Sequence, residues 1–252
     1  MLRAELARAF AWRHVVVIVC MALMGVVLAV WLPTLPESVF RFFQRVFLLP
    51  AWPEIAVAND MAGLFFFVYW IGVFDMLNIY VQPLEERRLD LVLSKPLTRG
   101  EYLWAKLVPI LLVVVALFVI GALAHWLALQ AASLAYPLAA LAGANFALLG
   151  WTILLICLVN LIVLWTSDTY TALLIAFVPM LVTILPGTIY MYRPDIFEAS
   201  SHVRDLVVFP LNLVWYPDFS ASWGFALGGL FLALAAGLVV AAGWMFEMKD
   251  VP

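Results

Sequence analysis

The segment that decides the fold is LWAKLVPILLVVVALFVIGALAHWLAL, Leu103 to Leu129. Apart from Lys106 near its start and His125 near its end it carries no ionisable side chain, and it exceeds the roughly 20 apolar residues that an α-helix needs to cross a bilayer core. The rest of the chain is of the same kind. Its 252 residues are 67% hydrophobic and 12% charged, with a mean hydropathy of +1.10, whereas soluble domains are about 45–50% apolar and about 25% charged. This composition describes an all-α polytopic membrane protein with room for about six spans and no separate soluble domain.

Working outward from Leu103, six apolar segments can be marked: Val15 to Leu32, Met61 to Gln82, Leu103 to Leu129, Leu138 to Trp165, Tyr170 to Tyr190 and Trp223 to Phe246. Together they make residues 1–252 one transmembrane domain. The first follows Arg3, Arg8 and Arg13, but its apolar core is longer than that of a signal peptide and WLPTLPES offers no small-x-small cleavage site, so it reads as a retained anchor. No internal repeat or low-complexity linker is evident.

Orientation follows from Lys and Arg. Of the thirteen, nine fall on one side: Arg3, Arg8, Arg13, Arg87, Arg88, Lys95, Arg99, Lys106 and Lys249. Arg41, Arg45, Arg193 and Arg204 fall on the other. The majority side is expected in the cytoplasm, with both termini. A net charge of −3, with no basic stripe, argues against a nucleic-acid partner. Cys20 and Cys157 both sit in apolar runs, where packing is the expected role and a disulfide framework is not. Outside, residues 37–50 alternate Val39, Phe40, Phe43, Val46 and Phe47 with Arg41, Gln44 and Arg45 at helical spacing, as an interfacial helix would. A second outer segment, Met191 to Ser222, bears charge and has a short candidate helix around Phe197 to Val207.

Between the second and third spans lies LEERRLDLVLSKPLTRGEYLWAK, Leu84 to Lys106, a polar island with nine formal charges. Apolar Leu89, Val92 and Leu93 among charges at 85 to 88 and 90 describe a short amphipathic helix along the inner surface. Pro96 ends it by disfavouring helical geometry at Lys95. Thr98 and Glu101 then have the spacing of a capping box, with Leu97 and Tyr102 at the staple positions. The island is thus a helix, a corner and a capped helix start, a shape suited to passing force into the third span.

This island resembles the cytoplasmic segment after the second span in permease subunits of ATP-binding-cassette transporters of the type-2 exporter family. The likeness rests on Glu85, Glu86, Leu93, Ser94, Pro96, Thr98, Arg99, Glu101 and Lys106. AELARAFAWRH at the amino terminus looks like that family's amphipathic lead-in helix, and six spans with both ends inside match its layout. Asp90 departs from the pattern, standing where a small residue is usual. The resemblance implies a coupling helix that docks on a separate ATPase through Glu85, Glu86, Leu89, Leu93, Ser94, Pro96, Thr98, Arg99 and Glu101, with Ser167 and Asp168 of the short second inner loop as a lesser contact. It also implies two permease chains, identical or different, working with two ATPase subunits. The chain has no G-x-x-x-x-G-K-[ST] loop, so ATP and magnesium are expected on the ATPase and no cofactor on this chain. Read from its residues alone, Ser167 or Asp168 would cap the fifth span.

Polar residues within spans need their own explanation, because ionisable groups at membrane depth are costly. Asp75, Asn78 and Gln82 form a stripe on the second span, and Asn145, Thr152 and Asn160 run along the fourth. They either line a translocation pathway or dimer seam, or fix helix packing through hydrogen bonds. His125 reads as an interfacial residue. Pro179 and Pro186-Gly187 are expected to interrupt the fifth span, whose outer half would bend or re-enter.

Two other function classes compete. An ion-coupled secondary transporter would use Asp75 as its coupling carboxylate, but the paired broken helices of such carriers are not evident. An intramembrane enzyme is disfavoured: EERR only superficially matches a Glu-Glu-x-x-x-Arg protease signature, since Asp90 occupies the Arg position, and H-E-x-x-H and G-x-S-x-G are missing from the sequence.

Overall fold

The computed structural model describes residues 12–31, 34–41, 52–78, 98–134, 136–166, 168–192 and 220–248. Among them the chain is helical without strands, in six long helices: α1 (Trp12–Trp31), α2 (Trp52–Met76), α3 (Arg99–Ala131), α4 (Leu138–Thr166), α5 (Thr169–Tyr192) and α6 (Ala221–Met248). Of these, α3, α4 and α6 are each long and apolar enough to cross a membrane, which marks the chain as a membrane protein. Residues 37–41 form a short helical turn with Arg41 paired to Glu37 at 2.8 Å. The rest of the expected outer interfacial helix, the inner helix over 84–93 and the candidate helix over 197–207 lie outside the described residues.

α4 is the hub. It is apolar on every side, as a helix enclosed by others must be, and it packs against α2, α3, α5 and α6. Its buried residues point in all directions, among them Ala147, Leu148, Leu149 and Cys157. α1 packs chiefly on α3.

Relative directions follow from paired contacts. On α2 and α3, Gly121 meets Leu64 and Gly72 meets Val114, so these two helices are antiparallel. Arg99 and Tyr102 meet Phe246 while Leu103 meets Gly243, so α3 and α6 are antiparallel as well. Gly143 meets Ala221 and Gly150 meets Gly228, so α4 and α6 run parallel. The amino end of α3 and the carboxyl ends of α2, α4 and α6 therefore share one end of the bundle, here called the Glu247 end.

The tightest seam joins α4 to α6. A Cβ on Gly143 would stand 2.7 Å from the Ala221 carbonyl oxygen, and one on Gly150 would stand 2.7 Å from that of Gly228. Only glycine lets the two backbones approach this closely. In lipid, where apolar burial drives no association, such close contact is what holds helices together. Below the glycines the α6 stripe continues through Phe231, Ala235, Val239, Ala242 and Phe246, at the spacing of a nearly straight helix.

The fifth helix corrects the sequence reading. α5 runs from Thr169 to Tyr192 without a break at Pro179 or Pro186. A proline removes one donor and leaves the remaining ladder available, and neighbouring helices hold this stretch in place. Tyr69 Oη of α2 donates to the Ala176 carbonyl, and the Trp70 and Phe177 rings meet at a tilt with centroids 4.6 Å apart. Thr183 Oγ1 donates to the Pro179 carbonyl at 2.8 Å and accepts from Trp151 Nε1 of α4 at 3.3 Å.

Candidate functional site

The start of α3 is built as its sequence requires. Thr98 adopts extended geometry at the N-cap, and its hydroxyl accepts from the Glu101 backbone N–H at 3.2 Å. The Glu101 carboxylate in turn accepts from the Thr98 backbone N–H at 2.9 Å. Two otherwise orphaned donors of the first turn are thereby satisfied reciprocally. Those bonds, with the Thr98 backbone contributing most, hold the Glu101 carboxyl below its ordinary range, because hydrogen bonds to the ionised form favour it. Glu101 remains exposed.

Arg99 does something the sequence did not announce. Its guanidinium donates to the backbone carbonyls of Phe246 at 3.4 Å and Glu247 at 3.2 Å, at the carboxyl end of α6. Helix C-termini leave carbonyls without partners and carry partial negative charge, so a cation is favoured there. The next residues reinforce the junction. Gly100 lies against Glu247, where a Cβ would stand 3.4 Å from Oε1, and the Tyr102 and Phe246 rings lie 6.3 Å apart. Lys106 is buried, with Nζ 5.7 Å from the centre of the Tyr102 ring.

The turn between α4 and α5 lies at the same end. Asp168 caps α5: its carboxylate accepts from the Thr171 backbone N–H at 2.7 Å. The Thr171 side chain and backbone hold the Asp168 carboxyl below its usual range. The Glu247 end thus gathers Thr98, Arg99, Glu101 and Asp168. Glu85, Glu86, Leu89, Leu93, Ser94, Pro96, Ser167 and Gln82 lie outside the described residues.

The polar residues of the helices separate into two kinds. Asn145 donates to the Leu141 carbonyl at 2.9 Å and Thr152 to the Leu148 carbonyl at 2.7 Å, so both are partnered by their own helix. Asn145 also borders an otherwise apolar groove of about 280 Å³ among α3, α4 and Phe225 of α6. Thr152 and Asp75 are not part of its lining. Asp75 and Asn160 are the second kind. Gly72 of α2 meets Ile156 of α4, and Asp75 and Asn160 follow these two residues by three and four positions on helices that run in the same direction. The register sets both about one turn nearer the Glu247 end, and both are buried, at 4% and 1% exposed. Asn160 Nδ2 has no hydrogen-bond partner among the described residues. Asn78 is exposed, so the expected stripe from Asp75 does not stay in one environment.

His125 is enclosed between helices. It is 2% exposed, with Nδ1 3.0 Å from Asp60 Oδ2. Asp60 lies inside α2, because that helix begins at Trp52 and not at Met61. Gly25 of α1 closes the site, where a Cβ would stand 3.0 Å from Asp60 Oδ1. Sequence reasoning missed this pair and the glycine seam, although the Gly224-x-x-x-Gly228 spacing is a recognised small-residue signal. The two cysteines are free, Cys20 exposed and Cys157 buried.

Comparison with protein-family models, with curated proteins and with solved structures finds no match.

Proposed function

We propose that this chain is the membrane-spanning permease subunit of an ATP-binding-cassette transporter, an exporter in which six spans form the translocation pathway and a separate ATPase supplies the energy. The observation that carries this reading is the capped start of α3. Thr98 and Glu101 cap it reciprocally, and it stands within a segment that resembles the coupling region of type-2 exporters. A loop that only joined two helices could be a few residues long. A reciprocally capped start to a 33-residue helix is a device through which a push from outside moves the helix.

In this reading α1, α2 and α5 also span, the Glu247 end faces the cytoplasm, and both termini lie there. The chain lies in a bacterial or archaeal inner or plasma membrane. Two permease chains, identical or different, pair with two ATPase subunits, which bind ATP and magnesium. Asp75 and Asn160 lie on the pathway side of α2 and α4, or at the dimer seam. The chain performs no hydrolysis itself.

The test is to look for an ATPase with a phosphate-binding loop encoded beside this chain and to co-purify the two. Reversal of the acidic patch with Glu85→Lys and Glu86→Lys should reduce recovery of the ATPase while the permease remains inserted. Normal recovery and normal transport would refute docking at this segment. A second reading, an ion-coupled carrier, is favoured by the buried Asp75. It requires transport without any ATPase.

A further inference from the structure

The family resemblance makes Arg99 part of the ATPase-docking surface, but its guanidinium is turned into the chain. It reaches the last carbonyls of α6, at Phe246 and Glu247. Three neighbouring contacts join the same two helix ends: Gly100 against Glu247, Tyr102 beside Phe246 and Leu103 beside Gly243. α6 is in turn fastened along α4 by glycines that bring backbone against backbone, at Gly143 with Ala221 and at Gly150 with Gly228. A helix pair that meets backbone against backbone at two levels, with aromatic pairs beside them, has little freedom to slide, because packed interfaces switch between discrete states more readily than they deform.

From this arrangement we infer that Arg99 is a positioning residue that clamps the first turn of α3 to the last turn of α6. A displacement of the corner is thereby delivered to α6 and through the glycine seam to α4, not to α3 alone. The chemistry suits the task. A guanidinium is always charged and presents several donors in a rigid fork, and charge-assisted bonds to the carbonyls at a helix C-terminus are stronger than neutral ones. One guanidinium nitrogen, Nη1, serves both carbonyls; a lysine ammonium has donors enough for both, but on a flexible stem it is less pre-organised and would hold them less firmly. The functional consequence rests on the coupling role proposed for the corner. The clamp itself does not.

The experiment uses the full chain with Cys20 and Cys157 replaced by serine and alanine, and a cysteine pair introduced by Gly100→Cys and Glu247→Cys. Disulfide formation across the pair is followed in native membranes, with Arg99 intact and in Arg99→Ala and Arg99→Lys. The clamp predicts a rate lower by about tenfold or more in the alanine variant, the effect of losing hydrogen bonds from a charged group, and an intermediate rate in the lysine variant. Equal rates in all three would overturn it. With the ATPase co-expressed and without the cysteine pair, Arg99→Ala should retain the ATPase but transport less per ATP hydrolysed, and restoring the pair in its oxidised form should recover that ratio. Loss of the ATPase on Arg99→Ala would instead make Arg99 a docking contact and overturn the clamp. If the unaltered chain recovered no ATPase, the transporter reading would fail, while the disulfide rates would still decide the clamp.

Discussion

His125 Nδ1 of α3 lies 3.0 Å from Asp60 Oδ2 of α2, with the two side chains 2% and 15% exposed. Counting from the helix ends, His125 is about 9 Å and Asp60 about 12 Å inside the bundle. Gly25 of α1 adjoins the same carboxylate, so one acid–base pair ties three helices. Neither Nδ1 nor Nε2 of the imidazole makes a well-directed hydrogen bond among the described residues, so the Asp60 contact is a close approach of two groups of opposite character.

Breaking this pair from one side leaves a polar group enclosed without its complement. Asp60→Leu and His125→Leu should each destabilise the protein by about 2–3 kcal/mol, somewhat below a fully enclosed pair because Asp60 is partly open. The double variant should recover much of the loss, since two apolar side chains in contact leave nothing unsatisfied. Unfolding in detergent, arranged as a double-mutant cycle, measures this. Additive losses would show that the two residues do not interact.

The glycine seam gives a sharper steric expectation. Gly143→Val and Gly150→Val place side-chain atoms where the Ala221 and Gly228 backbones stand, so α4 and α6 must separate. Each should cost about 2–3 kcal/mol or more, as overpacking does. At Gly229 and Gly237 of α6 an added Cβ would meet nothing within 4 Å, and alanine there should be neutral or stabilising by up to about 1 kcal/mol through helix propensity. Thermal midpoints of the four single variants would check the contrast. Equal behaviour at all four positions would contradict the seam.

These two features also mark how far the sequence could be read. Local signals held: Thr98 and Glu101 cap α3, Asp168 caps α5, and the six helices overlie the six apolar segments to within a few residues, except that α2 starts at Trp52. Each of those depends on residues close in the chain. Asp60 with His125, Arg99 with Phe246, and Gly143 with Ala221 are far apart in sequence. Their meeting depends on which face each helix turns to its neighbours, and apolar residues on all sides, as on α4, erase the periodicity that would have revealed it. Pro179 and Pro186 signal an interruption that the continuous α5 does not show; beside Pro179, contacts from Tyr69 and Trp70 of α2 and Trp151 of α4 hold the helix.

Asp168 carries a pH signature. Its carboxyl is held below the ordinary range by the Thr171 bonds, so its contribution to stability is fully present above the unfolded value, about 3.9, and is lost as pH falls through the lower folded value. Glu101 acts in the same sense. Asp168→Asn keeps an acceptor for the Thr171 N–H without a titrating group. It should resemble the parent near pH 7 and show a flatter decline of thermal midpoint below about pH 4. Asp168→Ala should be less stable across the whole range. An unchanged acid limb in the asparagine variant would remove Asp168 from the pH dependence.

Asp75 and Asn160 allow stability and transport to be separated. Both are buried at one level of α2 and α4, where a purely structural role predicts that apolar replacements are tolerated, because an enclosed amide nitrogen without an acceptor is already a cost. Asn160→Leu should therefore raise the unfolding midpoint. If these residues line the path, the same variant should lower transport, since it removes one of few polar groups at that depth. Asp75→Asn keeps shape and hydrogen-bonding capacity and should retain transport, whereas Asp75→Leu should lose it. An ion-coupled carrier would respond differently: transport would fail in Asp75→Asn too, and would proceed in the parent without an ATPase. Reconstituted vesicles, assayed for transport with and without the ATPase, decide between these outcomes. Full activity in both leucine variants would take Asp75 and Asn160 off the path and leave them as packing residues.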